Sequence, residues 1–473
     1  MTVRGALRFG WLARDQRPPR AQSSRWAIFA VVAAALFMSS LDGTIVATAL
    51  PALQRELDAS IAWAGWTITA YSLGLVLMVP VAGVLSERYG ERVVFLVSVA
   101  VFTIASFCCG LATNIYVLVG LRFLEALGGA GFTPSATGII VEHFGSSRDK
   151  AVGLFGSIFS VGAIVGPIFG GLFVTYWSWR GIFLVNVPIG IALFVLCLRV
   201  VPRDAAPLPG GGRGRFDYVG MAQLGIGVLG VMLAFNALSA GLGAIASAGF
   251  LLPAAAAGIA LWCFALHTRK TRNPFIAARF LAGHGFGAVN IVNVMGGMVV
   301  GLVALLPLYA SIRYGISALD AGTLLSVEGA AFIAVSGFAA MSLRRTGYRL
   351  PIYFGITLMV LGIAALSAAP HGMSPYLWLA AVAGFIGIGA GCSSPASRNA
   401  GLQLAPEAAP TLAGLRTISF QIGSIVTISI TTALISATSA PGAAHGYVYI
   451  VWAVLIALLT PVIARVPEHR GAW

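Results

Sequence analysis

The stretch GAIVGPIFGG, residues 162–171, puts four glycines and a proline into ten residues of an otherwise apolar run. In a soluble helix interior each Gly costs about 1 kcal/mol and each Pro about 3 kcal/mol relative to Ala. The flanks are apolar over lengths that suit the roughly 20 residues of a membrane span, and membrane helices tolerate Gly and Pro because neighbours re-satisfy the backbone. Gly162, Gly166 and Gly170 recur every four residues and share one helix face, over which a second backbone can approach closely. Pro167 removes a backbone bond and bends the helix. The stretch therefore reads as a bent, smooth-faced membrane helix on which another helix packs.

Working outward, composition agrees. Hydrophobic residues make up 58% of the 473 and charged residues 9%, whereas soluble domains carry about 25% charge. Soluble domains are excluded. The five cysteines (Cys108, Cys109, Cys197, Cys263, Cys392) lie in or beside apolar runs, and their odd number and spacing fit neither a disulfide framework nor a zinc site. The Arg-rich start leads into an apolar run too long for a signal peptide, read here as a retained first helix.

Fourteen spans are expected, at 26–49, 61–85, 93–112, 115–141, 151–175, 181–200, 218–240, 247–268, 284–311, 319–342, 350–369, 374–397, 409–437 and 446–465. An even number leaves both termini on one side. The net charge of +14 raises the possibility of nucleic acid, but the placement of the 29 Lys and Arg argues for topology instead. With the N-terminus cytoplasmic, only Arg55, Arg180 and Arg313 fall outside, and Arg122 and Arg416 fall within spans. This is the positive-inside pattern. An all-α integral membrane protein with both termini cytoplasmic follows, its basic balance serving the lipid bilayer rather than DNA.

Residues 201–217, VPRDAAPLPGGGRGRFD, read as a cytoplasmic linker. The basic and apolar mix at 269–283, containing RKTRNPFIAARFL, suits a helix in the membrane interface. The chain divides accordingly: 1–200 is a six-helix bundle, 201–283 holds the linker, an inserted helix pair and the interfacial segment, and 284–473 is a second six-helix bundle. A weak echo relates the halves. GVLSERYGER (83–92) and AMSLRRTGYR (340–349) each follow the second span of their half, and each ends in a turn with Gly90 or Gly347 and an Arg.

An ionisable side chain at membrane depth faces a cavity or a partner and is a functional candidate. Asp42, Arg122, Glu125, Glu328 and Arg416 qualify. At 1.5 Å per residue, Asp42, Glu125 and Glu328 each fall roughly 10–15 Å below the outer face, placed to share one cavity. Arg122 and Glu125, three apart, are neighbours on one helix face. Their plainer alternative is a permanent ion pair; Asp42 also suits a helix-end hydrogen bond, and Arg416 can snorkel to the cytoplasmic surface. Tyr71, Asn290 and Asn293 are candidates to line a pathway. Trp63 and Trp66 suit interface anchoring. No Gly-x4-Gly-Lys-Ser/Thr loop for ATP is present, and no catalytic acid pair, Ser/His pair or metal cluster converges.

The motifs carry a resemblance. Gly162, Gly166, Pro167, Gly170 and Gly171 resemble the antiporter motif in the fifth helix of major facilitator superfamily exporters. GVLSERYGER resembles that superfamily's signature between helices two and three through Gly83, Leu85, Arg88, Gly90 and Arg92. LRFLEALGGAG (121–131) resembles its fourth-helix motif through Arg122 and Gly128. LDGTIVATALP (41–51) and WSWRGIFLVNVPIG (177–190) are similar to the fourteen-helix drug:proton antiporters. The sequence departs from the pattern at Glu87, Glu91, Glu125–Ala126 and Phe420.

The resemblance implies a major facilitator fold with 14 transmembrane helices (6+2+6) and a secondary active exporter working by alternating access. Protons are then the coupling ion, with no other cofactor. One charge crossing 100 mV supplies about 2.3 kcal/mol. The expected cargo is a hydrophobic, cationic drug or toxic compound, with Asp42, Glu328, Tyr71, Asn290 and Asn293 as its contacts. Asp42, Arg122 and Glu125 are the proton-coupling group. Gly83, Glu87, Arg88, Gly90 and Arg92 form a gating loop. A monomer in a bacterial cytoplasmic membrane is expected. Export of one endogenous metabolite, siderophore or lipid stays open, as does a proton-coupled uptake symporter.

Overall fold

The computed structural model describes residues 25–144, 148–203, 217–271, 274, 276–370, 372–405 and 409–468, without the side chains of 87, 148–157, 159, 160, 242 and 409–411. Arg4 to Arg20, most of the 201–217 linker with Arg213 and Arg215, and the Glu87 side chain of the gating loop lie outside the described residues.

The described chain is helical throughout. In order, the helices are α1 (Arg25–Glu56), α2 (Ile61–Tyr89), α3 (Glu91–Gly110), α4 (Ile115–Gly129), α5 (Phe132–Phe144) and α6 (Arg148–Tyr176). Next come α7 (Gly181–Leu184), α8 (Asn186–Val200), α9 (Tyr218–Ala237), α10 (Ala248–Lys270), α11 (Ala278–Ala282) and α12 (Phe286–Ala304). The last are α13 (Leu306–Tyr314), α14 (Ala318–Thr346), α15 (Arg349–Leu366), α16 (Pro375–Leu404), α17 (Ala409–Ser436) and α18 (Pro441–Leu459). Among the described residues 13 helical stretches are long and apolar enough to cross a membrane, and Val161–Tyr176 within α6 is a shorter apolar one.

Side-chain caps and positive-φ glycines mark many of the helix ends. Five helices that start on the face of the Asp58 turn are capped by Ser60, Asn114, Ser247, Ser317 and Ser374, whose side chains accept a backbone N–H of the first turn, whereas α7 and α18 start there without a side-chain cap. Each such cap contributes about 1 kcal/mol. On the opposite face α2 stops at Gly90 (φ 95°) and α14 stops at Gly347 (φ 71°), a backbone conformation that L side chains avoid. The echo between GVLSERYGER and AMSLRRTGYR is therefore a shared turn geometry. These two faces are called below the Asp58 face and the Gly90 face.

The opening stretch packs on two sides. A Cβ placed on Gly162, Gly166 or Gly170 would run into α1 at Ser40, Thr44 and Thr48 and at the carbonyls of Phe37, Leu41 and Ile45. Thr44 and Thr48 turn their hydroxyls back onto carbonyls of their own helix, which leaves the contact smooth. The other side of α6 meets α14. Gly171 lies against Leu319 Cα and Ala318 O, Gly322 lies against the Pro167 carbonyl, and Ser326 Oγ donates to Ile164 O at 2.7 Å.

Helices α1–α8 pack chiefly on one another, as do α12–α18, and the two groups meet where α6 touches α14 and α2 touches α17. On the Asp58 face the second seam is sealed. Leu50, Ile61 and Ala64 cluster with Leu305, Leu308, Ile428 and Ile435, and Ala62 N donates to Ser436 Oγ at 2.9 Å. The helices α9 and α10 pair with each other, and α9 also packs on both α2 and α17. Leu224, Val228 and Met232 of α9 share one apolar cluster with Leu73 and Val76 of α2 and Leu415 and Ile418 of α17. Among the described residues, the expected interfacial segment supplies the short α11, tied to α12 by Asn290 Nδ2, which donates to the carbonyls of Phe280 (2.7 Å) and Leu281 (3.1 Å).

Candidate functional site

Arg122 decides where to look. A guanidinium is strongly disfavoured in apolar surroundings unless paired, yet this one is 1% exposed in the middle of the α1–α8 group. Its Nη1 donates to Asp42 Oδ2 of α1 at 2.8 Å and to Glu125 Oε2 of its own helix at 2.6 Å. Its Nε donates to Thr67 O of α2 at 3.2 Å. The guanidinium lies 4.2 Å from the centre of the Tyr71 ring and 5.6 Å from that of Phe183, each contact of the cation–π kind.

Both carboxylates have further donors. Glu125 accepts from the Ser106 hydroxyl of α3, and Cys109 Sγ stands 3.7 Å from its Oε2. Asp42 accepts from Asn186 Nδ2 at 3.2 Å, and the same amide reaches Ser106 Oγ at 3.3 Å. Asp42, Glu125 and Asn186 are fully buried. One positive charge thus faces two carboxylates inside a closed, hydrogen-bonded ring drawn from four helices, with Thr67 of α2 as a further anchor for Arg122.

Sequence reasoning found Asp42, Arg122, Glu125 and Tyr71 and missed Asn186, Ser106 and the Thr67 carbonyl. Asn186 lies in the stretch 177–190, where an amide in an apolar run is the available signal. Glu328 does not join this cluster. It sits half-buried on α14, and no hydrogen bond or ion pair of the described residues reaches its carboxylate. The expected single cavity shared by Asp42, Glu125 and Glu328 is replaced by a sealed cluster and a separate acid, because Arg122 draws two of the three onto one nitrogen.

Asn290 and Asn293 lead elsewhere. Between the two groups of helices, toward the Gly90 face, lies a cavity of about 360 Å³. Asn290 and Asn293 of α12, Ser397 and Arg398 of α16, Arg416 of α17 and Thr133 and Thr137 of α5 supply its polar lining, and Phe286, Val289, Leu402, Leu412 and Leu415 its apolar lining. Arg416 donates to Ser394 Oγ at 3.1 Å and lies 5.7 Å from the Phe420 ring centre. A second crevice of about 300 Å³ opens between α1, α6, α13 and α14 near the Asp58 face. Of the gating-loop residues, Arg92 Nη2 donates to Leu198 O at 2.8 Å and Arg88 is exposed over Tyr89. Gly83 has open space where a Cβ would stand.

Two packed groups of membrane helices, with a cavity between them and a buried charge cluster inside one, define a membrane transporter rather than an enzyme. A profile of the Major Facilitator Superfamily matches residues 32–428. The chain belongs to the Major Facilitator Superfamily. It is 29% identical over 404 residues to the multidrug resistance protein B homolog of Mycobacterium tuberculosis, covering 84% of this chain and 73% of that one. It is 28% identical over 380 residues to the multidrug transporter protein MdtP of Bacillus subtilis, covering 79% and 68%. The fold also matches a bacterial homolog of the human lysosomal transporter Spinster, in an inward-facing and occupied conformation, with a TM-score of 0.68 at 15% identity over 96% of this chain and 100% of that one. The protein is a multi-pass transporter of the bacterial cell membrane.

Proposed function

We propose that this protein is a proton-coupled exporter of hydrophobic compounds, working by alternating access as a monomer. In this reading its fourteen spans divide as 6+2+6, with bundles 1–200 and 284–473 rocking about the pathway and both termini in the cytoplasm. The names of its relatives support drugs or toxic compounds as the cargo, and the glycine and proline stretch at 162–171 supports export.

The carrying observation is the single Arg122 between Asp42 and Glu125. Two carboxylates against one guanidinium leave one negative charge uncompensated, and a proton is the smallest species that removes it. Neutral and charged forms of the cluster then differ in how they hold α1 to α4. Helix α1 is in turn fitted to the glycine stripe of α6, and α6 touches α14 of the other bundle. A change at the charge cluster therefore has a continuous packed route to the seam. Glu328, unpaired among the described residues, is the remaining embedded carboxylate available to cargo or to a second proton.

Everted membrane vesicles with an acidified interior, read by a pH-sensitive dye, test the coupling. Cargo addition should dissipate the gradient in the parent protein and fail to do so in Glu125→Gln at matched expression. Undiminished cargo-driven proton movement in that variant overturns the assignment. The expected preference for cationic cargo rested on embedded acids lining the pathway; the described lining of the Gly90-face cavity carries arginines instead.

A further inference from the structure

The cavity toward the Gly90 face has a polar chemistry of one sign. Among the described residues its lining holds two guanidiniums, Arg398 and Arg416, and no carboxylate. Two buried polar atoms in that lining have no partner among the described residues, Nε of Arg416 and Oδ1 of Asn293. Asn293 is 3% exposed, and neither end of its amide makes a hydrogen bond there. Leaving a buried polar group unsatisfied costs about 1–3 kcal/mol, more when it is charged, so these atoms mark where a ligand's polar end is wanted. The guanidinium Nε–H asks for an acceptor. The amide oxygen asks for a donor. Phe286, Leu412 and Leu415 supply apolar wall for the remainder of the ligand.

We infer that this cavity binds amphiphilic hydroxy acids: compounds with an apolar or aromatic body, an anionic oxygen placed on Arg416 and Arg398, and a neighbouring hydroxyl donating to Asn293. The inference rests on the exporter reading and gives its cargo a chemical class. Among the described residues, a quaternary ammonium on the same body meets two like charges and no counter-ion. Charge-assisted hydrogen bonds to guanidinium are about twice as strong as neutral ones, so the sign of the cargo outweighs modest changes in its shape.

The test is equilibrium binding to the purified full chain in neutral detergent, with no gradient present, so that failure of proton coupling leaves it readable. The fluorescent probes share one ring system: 9-anthracenecarboxylate, 9-anthracenemethanol and (9-anthracenylmethyl)trimethylammonium. The carboxylate should bind at least tenfold tighter than the ammonium, with the alcohol between them. Arg416→Gln and, separately, Arg398→Gln should each erase most of that preference, with an unchanged melting temperature in detergent reporting that the variant is folded. Asn293→Leu should weaken a hydroxyl-bearing anthracenecarboxylate more than the unsubstituted one. An anionic lipid headgroup offers the same chemistry as a free acid, so the titration is repeated with phosphatidylglycerol added. Loss of carboxylate binding at near-stoichiometric lipid assigns the cavity to a headgroup, and retention assigns it to a free solute. Equal or tighter binding of the ammonium, or a preference that survives both arginine variants, overturns the inference.

Discussion

Asn186 shows what a residue contributes here beyond its charge. It carries none, yet its amide joins Asp42 to Ser106 and so closes the ring around Arg122. Replacing it by Leu leaves the buried Asp42 Oδ1 without its donor, while the Ser106 hydroxyl keeps its bond to Glu125. A loss of about 1–3 kcal/mol in stability is expected, visible as a lowered melting temperature in detergent, together with a shifted pH dependence of cargo-driven proton movement. Unchanged melting and an unchanged pH profile would show the bond to be incidental. The charged members of this site were legible in the sequence because an ionisable group at membrane depth is conspicuous on its own. Asn186, Ser106 and the Thr67 carbonyl were not, since neutral polar groups are common in spans and spacing says nothing of contacts across helices. For the same reason the sequence could place Glu328 at the depth of Asp42 and Glu125 but not separate it from them.

The four-residue glycine repeat promised a close partner for α6 without naming it. The structure supplies two, and divides the motif between them. Gly162, Gly166 and Gly170 bind α6 into its own bundle through α1, whereas Pro167 and Gly171 carry its contact with α14. Gly166→Val therefore pushes into Thr44 and the Leu41 carbonyl, an overpacking that costs about 1–3 kcal/mol, and should reduce folded yield. Gly171→Val meets Leu319 and Ala318 instead and should slow transport more than it lowers the melting temperature, because it disturbs a contact between bundles. The reverse ranking of the two variants would contradict this division. Gly83 belongs to the same family resemblance, but a Cβ there touches nothing within 4 Å. Gly83→Ala should leave yield unchanged, while Gly90→Ala, at φ 95°, should not. Thirteen of the fourteen expected spans recur as helices long and apolar enough to cross a membrane among the described residues; which face of a helix meets which neighbour requires the packed structure.

At the scale of the whole molecule, the described conformation is closed between α2 and α17 on the Asp58 face and holds its larger cavity toward the other. Cysteines at Ala62 and Ser436, whose backbone N and Oγ lie 2.9 Å apart, joined by a short bis-maleimide, should hold that closure. Transport should stop while 9-anthracenecarboxylate binding persists, with the single-cysteine variants accounting for the five native thiols. Continued transport after complete cross-linking would mean that this seam need not part. The seam has one more occupant. Helix α9 lies across α2 and α17 together, and α10 packs on α9 and is otherwise largely exposed. A compound dissolved in the lipid tails therefore finds one flank of the transporter walled off by a helical buttress. On the proposed exporter reading, cargo drawn from the bilayer would have to enter by the flank that α9 leaves bare, so that two molecules lying side by side in one membrane would draw from different neighbourhoods of lipid according to how each is turned.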